Sequence, residues 1–153
     1  MSAPNPEPVL RASSKLLCLA YAAIAIAALI ATWSQNLAYF GNPTDVVSAF
    51  AVFLRETKVT PASRSITVDI LLFFLAAAIL MVIEARKHGI KFVWVYIAGG
   101  VLIAISVTFP LFLLARELRL GKADPTRLRA ADTIPLAVFA VLIAGLTIWV
   151  DAL

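Results

Sequence analysis

The chain has 153 residues, of which 62% are hydrophobic and only 14% charged. A soluble domain ordinarily carries about 25% charged residues, and the mean hydropathy of +0.96 places this chain with integral membrane proteins. The net charge of +4 does not signal nucleic acid, because the basic residues cluster at the ends of apolar segments, where they orient helices and meet lipid headgroups.

Residues 1–15 are rich in proline and without periodicity, and read as a short tail. The membrane domain follows over 16–153. Its first predicted span, 16–33, is longer than the 7–15 apolar residues of a signal-peptide core and is expected to be retained. Ala23, Ala27 and Ala31 recur every four residues along it, a small-residue stripe of the kind that lets helices approach closely in lipid. Cys18 is the single cysteine, so no internal disulfide is available.

The connection after the first span contains a predicted surface helix over about 43–56. Asn42-Pro43-Thr44-Asp45 is a helix start: a capping amide, proline at the first helical position and an acid in the first turn. Val46, Val47, Phe50, Phe53 and Leu54 then share one face. The segment is too short to span, and reads as an amphipathic helix lying in the membrane surface or capping the bundle, the alternative being a packed loop helix without lipid contact.

The second predicted span covers 66–84. Its uncharged core, Ile70 to Ile83, is fourteen residues long, whereas crossing the hydrocarbon takes about 20 residues. Asp69 therefore falls about one turn inside the boundary, and Glu84 closes the other end. Asp69 reads either as an interfacial acid favoured by the helix N-terminus or as a buried acid awaiting a hydroxyl, a cation or a subunit partner. Ser63 or Ser65 would cap this helix, and Gly89 would stop it in the left-handed conformation. His88, the only histidine, lies four residues beyond Glu84 and within its reach.

The third predicted span covers 92–115. Trp94 and Tyr96 anchor its start, Gly100, Ala104 and Thr108 form a second small stripe, and Pro110 is expected to kink it. A basic loop follows, with Arg116, Arg119, Lys122, Arg127 and Arg129. The fourth predicted span, 133–150, carries a third small stripe of Ala137, Ala140 and Ala144. The expected fold is thus an all-α integral membrane protein of four transmembrane helices plus one surface helix.

Charge does not orient such a path consistently. Four crossings put five Lys/Arg on the side of the termini and eight on the other. The first helix has Arg11 and Lys15 before it and no basic residue after it until Arg55, which favours a cytoplasmic N-terminus. The fourth helix votes the opposite way. We place both termini in the cytoplasm of a bacterial inner membrane, which leaves the basic third loop outside in need of an anionic partner.

Asp69, Glu84-Ala85-Arg86-Lys87, Trp94, the Phe109-Pro110-Leu111-Phe112-Leu113 stretch and the Arg116-Glu117 pair together resemble a family of short bacterial multi-span membrane proteins known only as a domain of unknown function. The resemblance covers about residues 16–118 and implies no established reaction. The alanine- and arginine-rich style also resembles that of actinobacteria, whose mammalian-cell-entry-type lipid importers recruit small accessory membrane subunits.

No phosphate loop, metal-ligand spacing, haem motif or nucleotide fingerprint is present, so no catalytic, cofactor or metal residue is expected. Asp69 and Glu84 are separated by about 22 Å along one helix and cannot form an acid–base pair. The leading expectation is a non-enzymatic accessory or scaffolding subunit of a larger membrane complex, with a lipid-transport assembly as the partner class. The candidate packing residues are Asp69, Glu84, Gly100, Ala104, Thr108, Pro110, Ala140 and Ala144. The alternatives are a homo-oligomeric transporter and a membrane enzyme acting at headgroup level.

Overall fold

A computed structural model describes residues 12–40, 45–120 and 130–152. The described residues form helices and turns only: α1 (Ala12–Asn36), a 3-10 turn (Leu37–Phe40), α2 (Val46–Glu56), α3 (Pro61–His88), α4 (Val93–Gly99), a π-helical turn (Gly100–Ala104), α5 (Ile105–Leu120) and α6 (Ala130–Ala152). Four stretches are long and apolar enough to cross a membrane: Ala12–Tyr39, Pro61–His88, Val93–Leu120 and Ala131–Asp151. The protein is an all-α, multi-pass membrane protein.

Local chemistry sets the helix ends. Helix α2 begins after Asp45, whose carboxylate accepts the Ser48 N–H at 2.7 Å. The expected cap at Asn42-Pro43 lies outside the described residues. Ala49 is buried against the bundle, while Val46, Val47, Phe50, Phe53 and Leu54 are exposed. That exposed apolar face is the one a helix lying in the membrane surface turns toward lipid. The Tyr39 hydroxyl donates to Glu56, and its ring meets Phe53 edge-on at 5.7 Å, which ties the end of α1 to α2.

Helix α3 starts at Pro61, earlier than the expected 66. Thr60 is the cap, and Ser63 completes a reciprocal capping box with it. Gly89 ends the helix at φ 65°, the left-handed stop read from the sequence. Phe92 also has positive φ, so the chain turns tightly before α4.

The third apolar stretch departs from a straight span. A Cβ added at Gly99 would lie 3.0 Å from Thr108 Cγ2, although nine residues of straight helix separate Cα atoms by about 13 Å. The rings of Tyr96 and Phe112 meet at 5.7 Å, where a straight helix would put about 24 Å between the two positions. The stretch is therefore a helical hairpin. Helix α4 descends from the end of α3, the chain reverses through Gly100–Ala104, and α5 returns beside it. The pairs Gly100–Thr108 and Tyr96–Phe112 centre the reversal near Ala104, after the double glycine, whose dihedrals stay right-handed helical, and before Pro110, which α5 incorporates.

Two glycines make this reversal fit. At Gly100 a Cβ would meet Phe74 Cζ at 2.8 Å and Thr108 Oγ1 at 3.2 Å. Phe74 stands midway along α3, so the hairpin tip reaches the middle of the bundle. Gly100 is buried there, consistent with the rule that irregular backbone at membrane depth must be shielded from lipid by protein. Thr108 donates to the Ala104 carbonyl at 3.4 Å, satisfying one acceptor at the tip. Met81, Ala85, Ile90 and Phe112 form the core on which Val93, Ile97, Phe109 and Leu113 pack.

The same contacts give helix direction. α5 runs parallel to α3, since Phe73 meets Phe109 and, further along both helices, Glu84 meets Arg116. α1 packs along α5, and its first turns, at Cys18 and Tyr21, lie within electrostatic reach of Glu117. One end of the bundle therefore collects the start of α1, the end of α3, the start of α4 and the end of α5. The opposite end holds α2, the start of α3, and the ends of α1 and α6, where Asp151 accepts from Gln35 at 2.8 Å.

The hairpin makes Gly100 intolerant of a side chain. Gly100→Leu should destabilise the chain by about 1–3 kcal/mol, the usual overpacking cost. Gly145→Leu, whose Cβ meets nothing within 4 Å, should not. Thermal unfolding in mild detergent distinguishes them, and equal midpoints would argue against a buried hairpin tip.

The Ser48 N–H holds the Asp45 carboxyl below its usual range. A carboxyl depressed in the folded state stabilises above its unfolded pKa and loses that contribution as pH falls through the folded value. Amide exchange across α2 should thus accelerate only on acidification below the ordinary aspartate range, and at neutral pH in Asp45→Ala. Identical exchange in the variant and wild type at neutral pH would exclude the cap.

Candidate functional site

Glu84, His88 and Arg116 gather at the end of the bundle where α3 and α5 finish. Glu84 is on the α3 face that meets α5, at the level of Arg116. The Arg116 Nε donates to Glu84 Oε2 at 2.5 Å, and His88 Nε2 lies 3.4 Å from the same oxygen. The Glu84 side chain is only 15% exposed and that of Arg116 29%. The expected Glu84–His88 neighbourhood is present, and Arg116 joins it from a helix remote in sequence.

One residue further along α5, Glu117 is buried. It faces the first turns of α1, near Cys18 and Tyr21, with the buried Ser14 one turn before Cys18. From the sequence, Arg116 is placed in the basic loop, Glu117 enters only through the family resemblance, and Ser14 falls in the N-terminal tail. Consecutive Arg116 and Glu117 point to different neighbours, Arg116 to α3 and Glu117 to α1, because adjacent helical residues are 100° apart. An Arg-Glu pair closing a long apolar run was the available signal.

The other candidates separate into two groups. Gly100, Thr108 and Pro110 are buried and Ala104 half-buried, all inside the bundle. Gly100 and Thr108 do not form a stripe on one straight helix; they touch across the hairpin. By contrast, Asp69 is exposed on α3, and Ala140 and Ala144 are exposed on α6. In α1 the small-residue stripe is not what packs within the chain. Ala23 and Ala27 face outward, and it is Ala25 that is buried. Arg119 is exposed, while Lys122, Arg127 and Arg129 lie outside the described residues.

Chemically, the Glu84 cluster is an ion pair between the ends of α3 and α5. Its carboxylate is occupied by a guanidinium, and among the described residues no three His, Cys, Asp or Glu side chains come together as a metal site. The arrangement locks the end of the hairpin to the end of α3 through a charge-assisted bond.

Residues 20–118 match the family described as Protein of unknown function DUF2834. The chain belongs to this family. The DUF2834 region begins within α1, contains the surface helix, α3 and the whole hairpin, and ends just after the Arg116-Glu117 pair. Helix α6 lies beyond it. No curated protein and no solved structure matches the chain.

The ion pair has a measurable consequence. Glu84→Gln should lower stability more than Asp69→Asn, since Glu84 has two partners within the chain and Asp69 is exposed. A double-mutant cycle between Glu84→Gln and Arg116→Gln should give a coupling of roughly 0.5–3 kcal/mol, the range for residues sharing one network. Additive effects of the two substitutions in detergent unfolding would refute the pair.

Proposed function

We propose that this DUF2834 protein is a non-enzymatic accessory or scaffolding subunit of a larger complex in a bacterial cytoplasmic membrane. The observation that carries this reading is α6. Every described side chain from residue 131 to 151 is exposed. At its far end Asp151 accepts from Gln35 at 2.8 Å and, at 3.5 Å, from Ser34.

Helices in lipid gain nothing from the hydrophobic effect by associating, and close packing of small faces supplies much of what holds them. The Ala137, Ala140 and Ala144 face of α6 offers such packing and takes none from its own bundle. It lies outside the DUF2834 region, so a partner-specific role for it is compatible with a shared three-helix and hairpin unit. A lipid-transport assembly is the partner class suggested by the compositional resemblance. The Glu84 cluster, neutralised by Arg116, favours this reading over a headgroup-level enzyme.

Affinity purification of the full chain from gently solubilised membranes tests it. A larger membrane protein should co-purify, and Ala140→Leu with Ala144→Leu should reduce its recovery severalfold while insertion and monomer stability hold. Recovery of monomer or homo-oligomer alone, or full partner recovery with both leucines present, counts against it.

A further inference from the structure

The hairpin changes where the charges go. We propose that the Val93–Leu120 stretch enters and leaves the membrane by one face, and that the turn between α3 and α4 on this face binds the headgroup of an anionic phospholipid. This inference is independent of the accessory role.

The geometry supports the common face. Helix α4 starts five residues after α3 ends, its tip stops against Phe74 midway down α3, and α5 returns until Arg116 meets Glu84. The end of α5 is therefore level with the end of α3. Helix α6 begins at Ala130 and delivers Asp151 to Gln35, at the opposite end. With the hairpin as a re-entrant element, only α1, α3 and α6 cross, so in place of the four crossings and two cytoplasmic termini expected from the sequence the end of α6 lies on the face opposite the start of α1.

Lys15, Arg86, Lys87, Lys91, Arg116 and Arg119 then share one face. Arg11, Lys122, Arg127 and Arg129 are the sequence neighbours of helix ends on it. These are ten of the thirteen Lys/Arg. Among the described residues, Arg55, Lys58 and Arg64 belong to the opposite face. The conflict between the first and fourth helices disappears, because each now has its basic flank on the same side. Excess Lys/Arg marks the cytoplasmic side of a membrane protein, where the leaflet carries anionic lipid.

On this face the α3–α4 turn forms an open depression of about 520 Å³ whose lining includes Arg86, Gly89, Lys91, Phe92 and Trp94. Left-handed backbone at Gly89 and Phe92 shapes it. Two cations beside exposed aromatics, Phe92 at 76% and Trp94 at 67%, are what a lipid phosphate at the interface requires. Arginine can bind phosphate oxygens in a fork, lysine adds a point charge, and tryptophan prefers headgroup depth. Glu84, the nearby acid, does not compete because Arg116 occupies it.

Two measurements on the full chain test the proposal. In the first, native mass spectrometry follows titration with phosphatidylglycerol or phosphatidylcholine. Phosphatidylglycerol should be retained preferentially, and Arg86→Gln with Lys91→Gln should weaken it, about fivefold for each charge removed. Lys58→Gln with Arg64→Gln, on the opposite face, should leave retention unchanged. Equal retention of both lipids, or equal losses from both pairs of substitutions, overturns the site.

In the second, single cysteines are placed in a Cys18→Ser background and labelled with a membrane-impermeant maleimide on intact cells. Lys58→Cys should label from outside, whereas Lys91→Cys and Lys122→Cys should label only after permeabilisation. Labelling of Lys122→Cys from the same side as Lys58→Cys overturns the common face.

Discussion

The packing of Gly99 and Gly100 against Thr108 and Phe74 is the contact on which the rest of the arrangement depends. A helical stretch of 28 residues with so apolar a core would ordinarily continue across the bilayer. Here two adjacent residues without side chains let the backbone come so close to α3 that reversal is possible. Once the chain reverses, α5 must run beside α4 and parallel to α3. Tyr96 is then brought onto Phe112, and Arg116 onto Glu84. No separate instruction is needed for either pair.

The reversal also places polar backbone at the centre of the bundle. Such backbone is tolerated only where protein surrounds it. Phe74 supplies that cover, Thr108 satisfies the Ala104 carbonyl, and α1 packs along the returning helix. The Glu84–Arg116 pair fastens the other end, where partial exposure limits the cost of holding charge. Small residues at the tip and a charge-assisted bond at the mouth thus secure opposite ends of one hairpin.

The DUF2834 region coincides with this hairpin and the helices that enclose it, whereas α6 stands apart in both sequence and packing. That division bears on how the proposed roles relate. A headgroup site at the α3–α4 turn would be a property of the family unit. Recruitment through α6 would be a property of the added helix. The two can fail separately, since one rests on Arg86 and Lys91 and the other on the alanine face some 50 residues later in the chain.

Composition and periodicity by themselves determined the membrane class, the four apolar helices, the surface helix after the first and the left-handed stop at Gly89. Each of these depends on interactions within a few turns: hydropathy, capping, and the conformational freedom of glycine. The Glu84–His88 neighbourhood was legible for the same reason, being a spacing of one helical turn. What tertiary structure alone decided is the path of the third stretch. Gly100, Ala104 and Thr108 read equally well as a stripe on a straight helix, and Pro110 looked the better place for a bend. Choosing between them depends on Phe74, a residue of another helix, standing where a Cβ would be. The partnership of Glu84 with Arg116 follows from that choice, as do the burial of Glu117 against α1 and the exposure of Asp69. Helical periodicity puts a residue on a face, but only the packing of one helix on another says what that face meets.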